Sequence, residues 1–313
     1  MEIFSIYDNR ANIKVYSELD YNIVPILKQL FNGYMDIGYC DFKSDYELCI
    51  FKNTHNIVFP SELNGYKIGV FSEKRKIYTV VENDNIDNNC LYIKRIIESL
   101  KNRILEEKGA CFFHGASISI DGNAAIFLGD NNSGKTTTIL NYLSSQRAKY
   151  MSNSKLALIQ ENDAIKVIGN ATNIGVRIST LEENVNFHKL MKSDLCTSSD
   201  YRIVLPVSKL KEYFKTETEK EARLKWIFFI DRTQGDPILH KITEKGVITD
   251  LLKSQIVDGV SKKSSIINEA INIKKVNNVE EFELNNVEIY YLIQNKDCTN
   301  IIKSIIESEL ERE

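Results

Sequence analysis

Apolar and polar positions change period several times along this chain, and each change marks an element. Within Tyr21 to Phe31, the residues Ile23, Ile26, Leu27 and Leu30 share one helical face, with Pro25 tolerated in the first turn. Residues 13–16 and 46–51 read as short strands, and 66–71 with 76–81 as a hairpin around Ser72-Glu73-Lys74-Arg75. The polar run Asn83 to Asn89 favours turns and sets an expected boundary, with a small α+β unit over 1–88 and a second domain over 89–313. Past it, Ile93, Ile96, Ile97, Leu100 and Ile104 form an apolar stripe that predicts a helix ended by Gly109. Residues 111–120 follow as a strand in which Ser117 and Ser119 alternate with Ile118 and Ile120, and Asp121-Gly122 predicts a tight turn. The apolar run 124–128 returns from that turn, antiparallel to the strand before it, and a helical segment occupies 137–143. Further on come a strand at 149–151, a hairpin of 155–159 with 164–168, a buried strand at 226–230, and a closing amphipathic helix carrying Ile301, Ile302, Ile305, Ile306 and Leu310. Residues 170–225 hold no clear period, and the mixed charges from Lys209 to Lys225 read as a solvated helix face.

The chemistry sits between the strand 124–128 and the helix 137–143. Gly129-Asp130-Asn131-Asn132-Ser133-Gly134-Lys135-Thr136 matches the phosphate-binding pattern G-x-x-x-x-G-K-[ST] at each required position. Strand, glycine loop and helix together present backbone N–H groups to a phosphate at a helix N-terminus. Gly129 and Gly134 permit backbone angles and close approaches that a Cβ forbids. Lys135 supplies a point charge for the β- and γ-phosphates, and Thr136 a hydroxyl for the accompanying Mg²⁺. Residues 129–136 with Thr137 are therefore the expected nucleotide contacts; ATP is the expected nucleotide on abundance alone.

Composition narrows the field. The 313 residues are 43% hydrophobic and 27% charged with a formal net charge of −3, so no basic excess points to nucleic acid or to an anionic membrane. No apolar run approaches the ~18 residues of a membrane span, and no secretory pattern opens the chain. The six cysteines (Cys40, Cys49, Cys90, Cys111, Cys196 and Cys298) are widely spaced and lack zinc-ligand spacing, which suits reduced thiols in a cytoplasmic protein.

The run from His114-Gly115 through Thr136 resembles the core of HPr kinase/phosphorylase and its relatives, which share the P-loop variant of phosphoenolpyruvate carboxykinases. Those relatives include standalone kinase-like proteins of lasso-peptide and other modified-peptide pathways. The resemblance is specific over about 109–160, weaker over 161–313, where it rests on Gly169 to Arg177 and the strand 226–230, and absent over 1–88. It implies an α/β fold: a mixed parallel and antiparallel sheet of the phosphoenolpyruvate carboxykinase-like P-loop type, with a small N-terminal α+β domain. It also implies transfer of a γ-phosphoryl group from a nucleotide, with Mg²⁺, to a hydroxyl of a peptide, a protein or a small molecule. The group often assembles, and the sequence leaves the oligomeric state open.

On that resemblance the catalytic candidates are His114, Lys135, Asn153 and Ser154. His114 holds the family's His-Gly position; it is either a working titratable group or a satisfied histidine in a half-buried strand. Asn153-Ser154 occupies the place of the family's acidic pair, and neither residue is a carboxylate. An amide cannot act as a general base, and a neutral hydroxyl is a weak Mg²⁺ ligand. Substitutes are Asp130, which can also rigidify the loop, Asp163, which can serve a turn, and Asp231 and Asp236 beyond the late strand. Arg232 beside Asp231 belongs to the same candidate pair, and Arg177 can bind phosphate or pair on the surface. Three readings compete: a kinase of the HPr kinase-like group, a nucleotide-binding pseudokinase acting as scaffold or regulator, and an ordinary P-loop ATPase or small-molecule kinase. The predicted antiparallel hairpin weighs against the third.

Overall fold

The computed structural model describes residues 1–31, 33–39, 43–52, 62–63, 66–67, 70–81, 85–144, 147–183, 187, 197–199, 202–232, 236–258, 278–294 and 299–311. Cys40, Cys196 and Cys298 lie outside them, and Cys49, Cys90 and Cys111 are free thiols. No described helix is long and apolar enough to cross a membrane.

Two compact units divide the described chain. The first contains Met1–Ala110. Its sheet runs in the order Asp36–Gly38, Glu2–Tyr7, Asn12–Ser17, Tyr46–Phe51, Lys76–Val80, Val70–Glu73. Parallel pairs join Asn12–Ser17 to Tyr46–Phe51 and the latter to Lys76–Val80. Helix Val24–Phe31 buries Val24, Leu27 and Phe31, and Pro25 sits in its first turn. The long helix Ile86–Glu107 is capped by the Asn85 side chain, which accepts from the Asn88 N–H, and it buries the whole stripe from Ile93 to Ile104. It contacts Val24–Phe31 and Asn12–Ser17 and so belongs to this unit: the division falls at Ala110/Cys111, and the expected boundary at 88/89 lies inside the helix. The hairpin expected from 66–81 is shorter, since Tyr66–Lys67 pairs with Glu62–Leu63 and only Val70–Glu73 pairs with Lys76–Val80.

The second unit contains Cys111–Val257 and Asn277–Glu313. Its main sheet mixes parallel and antiparallel pairs. Strand Asn123–Leu128, with Ala124 to Leu128 fully buried, lies between Gly115–Ile120 and Glu221–Arg232. It pairs antiparallel with the first, Gly115 opposite Leu128, through a two-residue turn in which Asp121 (φ 51°) and Gly122 (φ 81°) are both left-handed. It pairs parallel with the second. The late strand is therefore longer than its apolar heart at 226–230, and its start at Glu221 corrects the helical reading of 209–225: helix Val207–Phe214 stops at Lys215 (φ 50°). Strand Ala148–Ser152 continues the sheet beyond Gly115–Ile120, and Glu288–Gln294 runs parallel to Glu221–Arg232.

Residues 111–120 form two strands where one was expected. Cys111–Phe113 pairs with Leu156–Glu161 at the far end of the strand order, whereas Gly115–Ile120 is second from the other end. His114 alone joins them, so the sheet curls until its two ends meet at this residue. A separate three-stranded sheet orders Ile174–Arg177, Arg202–Leu205 and Thr197–Ser199.

Candidate functional site

Strand directions bring one set of chain ends together. Asn123–Leu128, Glu221–Arg232 and Glu288–Gln294 run parallel, and Ala148–Ser152 runs the same way with the antiparallel Gly115–Ile120 between. The loop after Leu128, the residues after Ser152, the end of the late strand, Gln294 and the start of Gly115–Ile120 thus share one edge of the sheet. Sites of open α/β sheets gather at such carboxyl ends.

The loop 129–134 is held open by its glycines. Gly129 has φ 143°, and a Cβ there would run into the Ile230 carbonyl oxygen. Gly134 has φ 104°, and its Cβ would meet the amide end of Gln294. That amide, 1% exposed, donates from Nε2 to the Ser133 carbonyl. Helix Lys135–Leu143 then begins with Gly134 as its N-cap and no capping side chain. The N–H groups of the first turn have no partner within the helix, and the positive end of its dipole faces the cleft.

Lys135 is 8% exposed and folds back into the loop, donating to the Gly129 carbonyl (2.7 Å) and the Asp130 carbonyl (2.8 Å). Burial pushes its ammonium down to about 8 against the pull of Asp130. Thr136 donates from Oγ1 to Asn153 Oδ1 at 3.2 Å, a pair of neutral oxygens. Asn153 and Ser154 follow a bulge at Met151, where the register against Gly115–Ile120 slips by one residue, and Ser154 takes a left-handed φ of 78°.

His114 is pinned at the sheet's closing joint by its backbone N–H, which donates to the Gln255 carbonyl (2.9 Å). Burial, aided by the Lys135 charge, holds its imidazole below the usual 6.5, while the Ser154 backbone, the Asn131 side chain and Asp130 pull the other way. Its Nε2 is buried without a hydrogen-bond partner among the described residues. A neutral imidazole with an unused ring nitrogen is equipped to take a proton.

One cleft is lined by His114, Asn132, Gly134, Lys135, Thr136 and Thr137 together with Asn153 and Ser154. Gly175, Arg177, Ser179, Thr180, Arg202 and Arg232 complete the wall, and no carboxylate is among these residues. Gly129, Asp130, Asn131 and Ser133 shape the loop without lining this cleft. The acidic substitutes lie elsewhere. Asp163 is exposed at the tip of the hairpin Leu156–Glu161 with Ala164–Ile168, Asp236 is exposed outside the cleft, and Asp231 accepts from the Arg232 N–H (2.7 Å) and the Tyr291 hydroxyl (3.3 Å). Arg202 and Gln294 escape the sequence reading. Each closes or opens a short alternating segment, Arg202-Ile-Val-Leu and Glu288-Ile-Tyr-Tyr-Leu-Ile-Gln294, that the period-two pattern could have flagged.

No group of three or more His, Cys, Asp or Glu side chains gathers as a metal site among the described residues. What the cleft offers a magnesium ion is the Thr136 hydroxyl and the Asn153 amide oxygen. That donor set is adequate only for an ion that keeps phosphate oxygens and waters as its other ligands, as Mg²⁺ usually does.

No family model matches this sequence, and no curated protein matches it. Among solved structures, the chain is similar to the Hpr(Ser) kinase/phosphatase from Coxiella burnetii, with a TM-score of 0.34 and 8% identity over 64% of this chain and 97% of that one.

Proposed function

We propose that this chain is a nucleotide-dependent kinase of the HPr kinase-like group that transfers the γ-phosphoryl group of ATP to a hydroxyl. The observation that carries the reading is the phosphate loop itself: an uncapped helix start, two left-handed glycines packed against Ile230 and Gln294, and a buried lysine inside a cleft lined by cations. The antiparallel Gly115–Ile120 beside the loop strand favours this group over P-loop domains built on parallel neighbours alone.

In the reaction the acceptor oxygen forms a bond to the γ-phosphorus as the bond to the β–γ bridging oxygen breaks, and ADP leaves with that electron pair. Lys135 swings from the loop carbonyls to the β- and γ-oxygens and offsets the charge that builds there. The Thr136 hydroxyl and the Asn153 amide oxygen would hold a magnesium ion, which would supply further neutralisation of that charge. The acceptor proton passes to His114, the one side chain among the described cleft residues that is neutral and basic near pH 7.

The pH profile tests the base. Because the His114 pKa is lowered, activity should be full at pH 7 and fall only below 6.5, about tenfold per unit beneath the shifted value. His114→Asn should cost about 10²-fold in the release of labelled phosphate from γ-labelled ATP to hydroxyl acceptors and flatten that acid limb. A variant as active as the parent with the same limb removes His114 from the mechanism. Failure of the parent to bind Mg²⁺–ATP removes the kinase reading altogether.

One observation favours a second reading, a pseudokinase that binds nucleotide as a scaffold or regulator: no carboxylate lines the cleft among the described residues, and Asn153-Ser154 stands where the resembled family has acids. Asn153→Asp, alone and with Ser154→Asp, decides between them. In a working parent the added charge tightens Mg²⁺ binding and changes turnover by less than about tenfold. In a degenerate parent it creates turnover that was absent.

A further inference from the structure

The three-stranded sheet contributes a wall of the cleft whose charges have no counterpart among the described residues. Strand Ile174–Arg177 buries Ile174 and Val176, which puts Gly175 and Arg177 on the opposite face. Strand Arg202–Leu205 buries Ile203 and Leu205 and leaves Arg202 on its other face. The antiparallel register sets Arg177 directly opposite Arg202. Like charges in that position repel and weaken a sheet. Yet both arginines line the cleft, no carboxylate lines it with them, and neither has an ion pair among the described residues.

Gly175 adds an independent sign. Its backbone is not in the left-handed region, and a Cβ there would meet nothing within 4 Å, so neither torsion nor packing calls for glycine. The space beside it belongs to the same cleft. A glycine that neither torsion nor packing calls for, on a strand face next to two guanidinium groups with no ion pair among the described residues, fits the close approach of a ligand.

We infer that Gly175, Arg177 and Arg202 form a second anion site, which binds an oxyanion of the phosphoryl acceptor. The acceptor is then a hydroxyl compound that also carries a carboxylate or a phosphate. Two planar guanidinium forks side by side match the oxygens of either group and quench their mutual repulsion when it binds. The role of the anion as part of the acceptor rests on the kinase reading; the anion site itself does not.

The test uses the full chain saturated with Mg²⁺ and a non-hydrolysable ATP analogue, titrated calorimetrically with inorganic phosphate and, separately, with malonate. At least one probe should bind alongside the analogue, and which of them binds tells phosphate from carboxylate. Arg177→Gln and Arg202→Gln should each weaken that binding about tenfold, and Gly175→Leu should do so by filling the space, while analogue affinity stays within about twofold. Three results overturn the inference: neither probe binds beside the analogue, both arginine variants bind it as well as the parent, or the variants lose the analogue instead. If the parent does not bind the analogue at all, the kinase reading fails by itself. Probe binding that survives in Lys135→Ala but not in Arg177→Gln then still upholds the anion site.

Discussion

Lys135→Met is expected to raise the melting temperature of the protein without nucleotide and, on the proposed kinase reading, to abolish phosphoryl transfer. The ammonium is buried, and its pKa falls from 10.5 to about 8 because of that burial. The unfolded chain therefore holds this proton more tightly than the folded one between those values. Native stability is lost as pH falls from about 10.5 towards 8, and below 8 the full penalty applies, on the order of 3 kcal/mol at neutral pH. Methionine keeps the apolar stem and removes the charge, while the Gly129 and Asp130 carbonyls lose a donor at about 1 kcal/mol each. The net gain is on the order of 1 kcal/mol, or roughly 2–4 °C. On the proposed kinase reading, transfer should drop by on the order of 10³-fold or more, because the charge assigned there to the β- and γ-phosphates is gone. Thermal melts at pH 7 with parallel ATP titrations check both halves. A variant that melts below the parent would show that the ammonium is needed to satisfy the loop carbonyls; one that still transfers phosphate would remove Lys135 from the chemistry.

Gly129→Ala is expected to cost far more stability than Gly134→Ala, though both glycines have positive φ. At 129 the new methyl collides with a main-chain carbonyl, that of Ile230, which cannot rotate away. Strain and overpacking together come to on the order of 4 kcal/mol, enough to dislocate the loop from its neighbouring strand. At 134 the obstacle is the flexible end of Gln294, so the side chain can swing aside at the loss of its bond to Ser133, leaving a cost of about 2 kcal/mol. Gln294→Ala added to Gly134→Ala should recover part of it. The single tryptophan, Trp226, is fully buried in the strand beside the loop, so its fluorescence in a urea titration follows this unit specifically. Equal costs at the two glycines would mean that torsion, not the Ile230 carbonyl, sets the penalty.

What could be read in advance was local. The loop 129–136, the Asp121-Gly122 turn and the helix over 93–104 each carry their instruction in adjacent residues: a fixed spacing, two turn formers, one stripe. The structure has each of these elements where the sequence put it. What escaped was set by distant pairing. Nothing near Arg202 announces that it will face Arg177, because that depends on the register of two strands 25 residues apart. The reach of Gln294 to the loop depends on a parallel neighbour far along the chain. The split at His114 escaped for the same reason: residues 111–120 read as one largely apolar strand, and only the partners, Leu156–Glu161 on one side and Asn123–Leu128 on the other, break them in two.

The curl of the main sheet also bears on how this unit meets other copies of itself. The strands at the two ends of its order have neighbours on their outer sides. Tyr150 in Ala148–Ser152 exchanges backbone hydrogen bonds with Glu217 and Glu219 (2.9 Å each). Phe112 and His114, at the other end, are bonded to Val257 and Gln255 (2.9 Å each). A row of open N–H and C=O groups is what lets one sheet add to another, and short crossing segments cover that row at both ends here. Growth of this sheet into a fibre by strand addition is thereby blocked at these positions, and any self-association through them has to be made by side chains.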